Sequence, residues 1–161
     1  MSVPREIPIA VRKAQIKASD PEKSVWVSAN AGSGKTHVLA QRVLRQLLAG
    51  VPPAKILCLT FTKAAAANMA MKVFATLSKW TQIDDVALTA SIEAIGAGRA
   101  DPHMLAFARR LFARTVETPG GLKIHTIHAF CERLLHLFPF EANVPGRFEV
   151  LEDLGQSDLL N

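Results

Sequence analysis

The chain is 161 residues long, 49% apolar and 20% charged, with 19 Lys and Arg against 14 Asp and Glu for a formal net charge of +5. That length fits one domain with a real core, the composition excludes a disordered chain, and no apolar run approaches membrane-spanning length. The start, Met1-Ser2-Val3-Pro4-Arg5-Glu6, lacks the apolar core of a signal peptide, so the expected compartment is cytoplasmic; the basic balance weakly favours a polyanionic partner.

In chain order, residues 9–18 set apolar and basic positions at helical spacing and stop at Ser19-Asp20-Pro21. Residues 24–28 are continuously apolar, as expected for a strand covered on both faces. A glycine-containing turn follows. The helix from Lys35 carries Val38, Leu39, Val43, Leu47 and Leu48 on one stripe and leaves Gln41, Arg42 and Arg45 to solvent, until Gly50-Val51-Pro52-Pro53 breaks it. Residues 55–61 read as a second strand and 64–79 as a helix, a β–α–β–α order that implies parallel strands with right-handed crossovers. Residues 84–97 and 102–116 read as two helices that interrupt the sheet, an insertion over 82–117. After the turn Thr118-Pro119-Gly120-Gly121 come a third short strand over 122–126 and a helix over 127–137. Residues 148–151 fit another strand, and a last helix begins near Glu152. The fold class expected is α/β.

Two cysteines, Cys58 in an apolar strand and Cys131 in a helix, lack the spacing of a disulfide framework and are expected as buried free thiols. His125, His128, Cys131 and His136 are spaced suggestively for zinc. However, the step from His125 to His128 crosses a strand–helix junction and no second Cys/His pair completes a tetrahedral set.

The chemistry concentrates in Val25-Trp26-Val27-Ser28-Ala29-Asn30-Ala31-Gly32-Ser33-Gly34-Lys35-Thr36, a strand feeding a glycine turn and a helix. This is the pattern of a phosphate-binding loop, with Ala29 where the first glycine often stands. A polyphosphate needs converging backbone N–H groups, so side chains are absent where the backbone approaches closely, at Gly32 and Gly34. The helix N-terminus adds partial positive charge; Lys35 would reach the β- and γ-phosphates, and the Thr36 hydroxyl would ligate Mg²⁺.

Two further segments narrow the family. Thr60-Phe61-Thr62-Lys63-Ala64-Ala65-Ala66-Ala67-Asn68-Met69 follows the second strand, and Ile124-His125-Thr126-Ile127-His128-Ala129-Phe130-Cys131 spans the third. With the phosphate loop they resemble, in order, the first motifs of UvrD/Rep-type superfamily 1 DNA helicases. The nearest likeness is to the AddA (RecB-like) motors of helicase–nucleases that process broken DNA ends. The resemblance covers nearly the whole chain. It implies a P-loop NTPase (RecA-like) sheet, with residues 1–161 forming the N-terminal part of the ATP-binding motor domain 1A. It also implies an ATP-dependent DNA helicase that hydrolyses ATP with Mg²⁺, single- and double-stranded DNA ends as partners, an AddB-like nuclease partner, and no membrane.

The resemblance implies site residues as well. Residues Ala29, Asn30, Ala31, Gly32, Ser33, Gly34, Lys35 and Thr36 would cradle nucleotide, with Lys35 and Thr36 the catalytic contributors. Gln15 matches the family's adenine-reading glutamine, its amide supplying a donor and an acceptor; a solvated helix glutamine is the alternative. His37 stands where many relatives place an arginine beside the nucleotide. Thr60, Phe61, Thr62 and Lys63 would meet single-stranded DNA, Phe61 by stacking, unless it is simply the last core residue of its strand. Asn68 replaces a glutamate common among relatives. Thr126 and His128 match the family's Thr-x-His, which contacts DNA backbone, against a capping threonine with a structural histidine.

Hydrolysis also requires an acidic pair on Mg²⁺ and water, and no apolar run ending in Asp-Glu is evident; Glu152-Asp153 comes too soon after the third motif. The expectation is a chain that stops before its Walker B acids, inside an unfinished helix at Leu159-Leu160-Asn161, with little turnover alone. The competing readings are a stand-alone P-loop nucleotide-binding protein and a non-enzymatic DNA-binding remnant.

Overall fold

The computed structural model describes residues 8–28, 30, 32, 34–148 and 150. Their elements run α1 (Ile9–Ala18), α2 (Lys35–Leu48), a 3-10 turn (Pro53–Lys55), β1 (Leu57–Thr60), α3 (Lys63–Gln82), α4 (Asp85–Ala94), α5 (Pro102–Glu117), β2 (Lys123–Thr126) and α6 (Ile127–Leu137). Four helices begin on the side chains their sequences offer. Thr62, Asp84, Asp101 and Thr126 accept from the N–H groups of Ala65, Ala87, Met104 and Ala129, satisfying donors that a helix start leaves open.

The core is built on α3, whose Met69, Val73, Leu77 and Trp80 recur on one face and are fully or almost fully buried. Against them pack Val43, Leu44, Leu47 and Leu48 of α2, Leu88 and Ile92 of α4, and Ala108 and Leu111 of α5. Residues 82–117 therefore contribute their helices to the same core as α2 and α3. Trp80 Nε1 donates to Ser91 Oγ at 2.8 Å, satisfying the indole's donor within the fold.

The strands β1 and β2 pair in parallel, Leu57 opposite Lys123 through Thr60 opposite Thr126. The α/β class is thus met by a helix-rich chain with a small parallel sheet. The expected strand over residues 24–28 is a correction: the segment carries no regular secondary structure, and Trp26 is 92% exposed. A strand exists only when a neighbour takes its backbone N–H and C=O groups, and among the described residues none does. Phe148 and Val150 lie in irregular backbone, Phe148 stacking on His136 with ring centroids 4.3 Å apart. Glu149, Leu151 and the helix expected from Glu152 lie outside the described residues. No helix among the described residues is long and apolar enough to cross a membrane.

Three exposure expectations are also corrected. Cys131 is exposed, because α6 buries none of its residues. Leu39 is exposed beside the open 24–27 segment. Gln41, Arg42 and Arg45 are turned inward because α1 and the segment after it cover that side of α2. Arg42 donates to the carbonyls of Asp20, Pro21 and Lys23. Arg45 donates to Ile16 O at 2.9 Å and Ser19 Oγ at 3.1 Å, and lies 3.5 Å from the Asp20 carboxylate.

Candidate nucleotide and nucleic-acid sites

The start of α2 differs from those of α3 to α6. Its N-cap is Gly34, left-handed at φ 91°, and no side chain caps it. Gly32, at φ 77°, has open space where a Cβ would stand. A glycine at each position permits a backbone that L side chains rarely adopt, and it keeps the helix mouth clear of side chains. Lys35 Nζ donates to Asn30 O at 2.7 Å, folding the ammonium back over the loop. Ala29, Ala31 and Ser33 lie outside the described residues.

Gln15 is brought to this loop by the docking of α1. A Cβ on Gly34 would lie 3.1 Å from Gln15 Nε2, so the amide sits directly against the loop backbone. Behind it opens a cleft of about 710 Å³ between α1, α2, α3 and α4, lined by Arg12, Gln15, His37, Gln41, Lys79 and Ser91 among others. Gly96, left-handed just beyond α4, lets this wall close: a Cβ there would overlap Ile16 Cγ2. Burial, and then the Lys72 charge, lower the His37 pKa below its ordinary 6.5, which favours a neutral imidazole.

A second cluster forms where β1 and β2 end side by side. Thr60 and Thr126 are register partners, and Thr62 and Thr126 are the caps of α3 and α6. Phe61 projects at the same edge and is 86% exposed, which excludes it as a core residue. Lys63 and His128, in the first turns of α3 and α6, are exposed as well. The Thr60 hydroxyl donates inward, to Thr62 O at 3.1 Å and His125 O at 3.5 Å.

The pattern of the UvrD/REP helicase N-terminal domain matches residues 11–161. The chain belongs to this family. The A component of an ATP-dependent helicase/nuclease from Lactobacillus gasseri is 34% identical over 142 residues, 88% of this chain and 10% of that protein. Its namesake in Lactobacillus helveticus is 35% identical over 149 residues, 92% of this chain and 11% of that protein. The one in Enterococcus faecalis is 30% identical over 141 residues, 88% and 10% respectively. The chain spans about a tenth of the length of these curated relatives.

In this UvrD/REP domain, then, Gln15, Gly34 and His37 gather around the start of α2, and Thr60, Phe61, Thr62, Lys63, Thr126 and His128 share one sheet edge. No three His, Cys, Asp or Glu side chains converge as metal ligands among the described residues, the His125–His128–Cys131 set included. Sequence reasoning missed Gln41 as a cleft residue. It lies four positions beyond His37, one turn along the same helix face, and that spacing was the available signal.

Proposed function

We propose that this chain supplies the nucleotide cradle and part of the single-strand DNA contact of an ATP-dependent DNA helicase of the AddA kind. The whole machine would act on DNA ends in double-strand break repair beside an AddB-like nuclease partner. In this reading residues 1–161 are the N-terminal part of motor domain 1A, with 82–117 a helical insertion in its sheet order.

The observation that carries the reading is the α2 mouth: a helix start without a side-chain cap, opened by two left-handed glycines, with Lys35 over the loop and Gln15 against it. Those residues suit ATP–Mg²⁺. Backbone of Ala29, Asn30, Ala31, Gly32, Ser33 and Gly34 would surround the phosphates, Lys35 would neutralise them, and Thr36 would hold Mg²⁺. Gln15 would read adenine, with His37 alongside as an uncharged ring. ATP hydrolysis belongs to the longer helicase in this reading.

At the sheet edge, Phe61 offers an aromatic face to a base. Thr62 and Thr126 accept their cap bonds, and each hydroxyl proton remains suited to donate to phosphate. Thr60 would act through its backbone, since its hydroxyl donates inward. Lys63 and His128 would meet phosphate charge.

Titration with a fluorescent ATP analogue tests the cradle. Wild type is expected to bind it in a Mg²⁺-dependent way, and Lys35→Ala to weaken binding by about ten- to a hundredfold, the range for a charged hydrogen bond. Equal binding by the folded variant, or none by folded wild type, would overturn the reading.

A further inference from the structure

We infer that Gly96 is a positioning residue for the nucleotide: it lets the turn after α4 seat Ile16, and through Ile16 it sets where Gln15 stands against the phosphate loop. The inference rests on the nucleotide reading above, and it makes the 82–117 insertion a working part of that site.

Two helices end in the same way. After α4, Gly96 N–H donates to Glu93 O at 2.9 Å and Ala97 N–H to Ile92 O at 3.3 Å, with Gly96 at φ 78°. After α2, Gly50 N–H donates to Leu47 O and Val51 N–H to Gln46 O, both at 3.0 Å, with Gly50 at φ 84°. Both are Schellman ends, in which the left-handed residue is usually glycine. The backbone demand is therefore the same at the two positions, and only their surroundings differ. A Cβ on Gly50 would meet nothing within 4 Å, whereas one on Gly96 would overlap Ile16 Cγ2 and lie 3.4 Å from Arg45 Nη1.

Ile16 has little freedom to yield. A β-branched side chain has one strongly preferred χ1 setting in a helix, so Cγ2 cannot swing aside and an intruding methyl pushes on the α1 backbone. That backbone is held at the same residue, where Ile16 O accepts from Arg45 Nη1 at 2.9 Å and from Ser19 Oγ at 3.0 Å. None of the ten residues of α1 is buried, so the helix is held by contacts of this kind rather than by a face sunk in the core. Gln15 is the next residue along, and its Nε2 lies 3.1 Å from where a Cβ on Gly34 would stand. A shift of α1 therefore moves Gln15, while Lys35 and Thr36 keep their places on α2.

The experiment measures displacement of a fluorescent ATP analogue from the full chain by MgATP and by magnesium tripolyphosphate, which has the phosphates and no base. Gly96→Ala is expected to weaken MgATP by about tenfold, the scale of one net hydrogen bond, and to leave tripolyphosphate unchanged. Gly50→Ala brings the same backbone strain and no new contact, so it is expected to lower the melting temperature similarly and leave both ligands unchanged. Adding Ile16→Leu to Gly96→Ala removes the Cγ2 branch; MgATP affinity should return while the melting temperature stays low. Gly96→Asn carries the same Cβ on a residue type that tolerates left-handed backbone, and it replaces Gly96→Ala if that variant does not fold. An unchanged ATP-to-tripolyphosphate ratio in the folded Gly96 variant, an equal loss in Gly50→Ala, or no recovery with Ile16→Leu overturns the role of Gly96 while the cradle reading stands. Absence of any Mg²⁺-nucleotide affinity in folded wild type overturns both.

Discussion

Phe61 illustrates what one side chain can decide. Its residue type suits a strand terminus or a stacking platform equally well, and at 86% exposure it is not a core residue, which supports the platform proposed above. Phe61→Ala should therefore weaken binding of a short single-stranded oligonucleotide by about 1–3 kcal/mol, measured by fluorescence anisotropy at fixed salt. The melting temperature should stay close to wild type, because nothing buried is lost. A stability loss with unchanged DNA affinity would count against the proposed contact. The cysteines separate in the same way. Burial raises the Cys58 thiol to about 11, whereas Cys131 lies exposed on α6.

At the scale of elements, helix ends were the most legible features. The stop at Ser19-Asp20-Pro21 and the cap at Thr126 set the spans of α1 and α6 as their residues predict. The 24–28 segment shows the opposite case, since strand character depends on a neighbour elsewhere in the chain. How α1 docks was equally hidden. Arg42 and Arg45 have the spacing of a solvated face, yet both are spent on carbonyls of α1 and the turn after it. Arg45→Met keeps the alkyl stem and removes the guanidinium, whose side chain is 13% exposed. It should cost about 1.5–3 kcal/mol in denaturant unfolding, the value of hydrogen bonds to a charged group. Because α1 carries Gln15, nucleotide affinity should fall as well, although Arg45 does not line the cleft. Unchanged affinity in the destabilised variant would argue against α1 as a nucleotide-positioning element.

Across the whole molecule, one core joins α2, α3, α4 and α5, while both candidate sites lie outside it, at the α2 mouth and at the sheet edge. The site and the stability of the fold meet at His37. Its pKa is lowered when folded, so between that lowered value and the ordinary 6.5 the unfolded chain binds more protons. Stability then rises with pH through this window and is lost as pH falls from 6.5 towards the folded value. Melting curves over roughly pH 7.5 to 5 should show a drop that is smaller in His37→Gln. An identical pH profile in the two proteins would refute the assignment.

The sequence by itself determined what depends on neighbours along the chain: the glycine loop and its lysine, the places of the helices, and the motif order that marks the family. Those features follow from local sterics, backbone donors and a helical repeat, all written within a few residues. Tertiary structure alone decided that the 24–28 segment finds no strand partner among the described residues, that Phe61 stands in solvent, and that Gln41 and Arg45 face inward. Burial and pairing are properties of two segments meeting, and neither segment encodes its partner's distance.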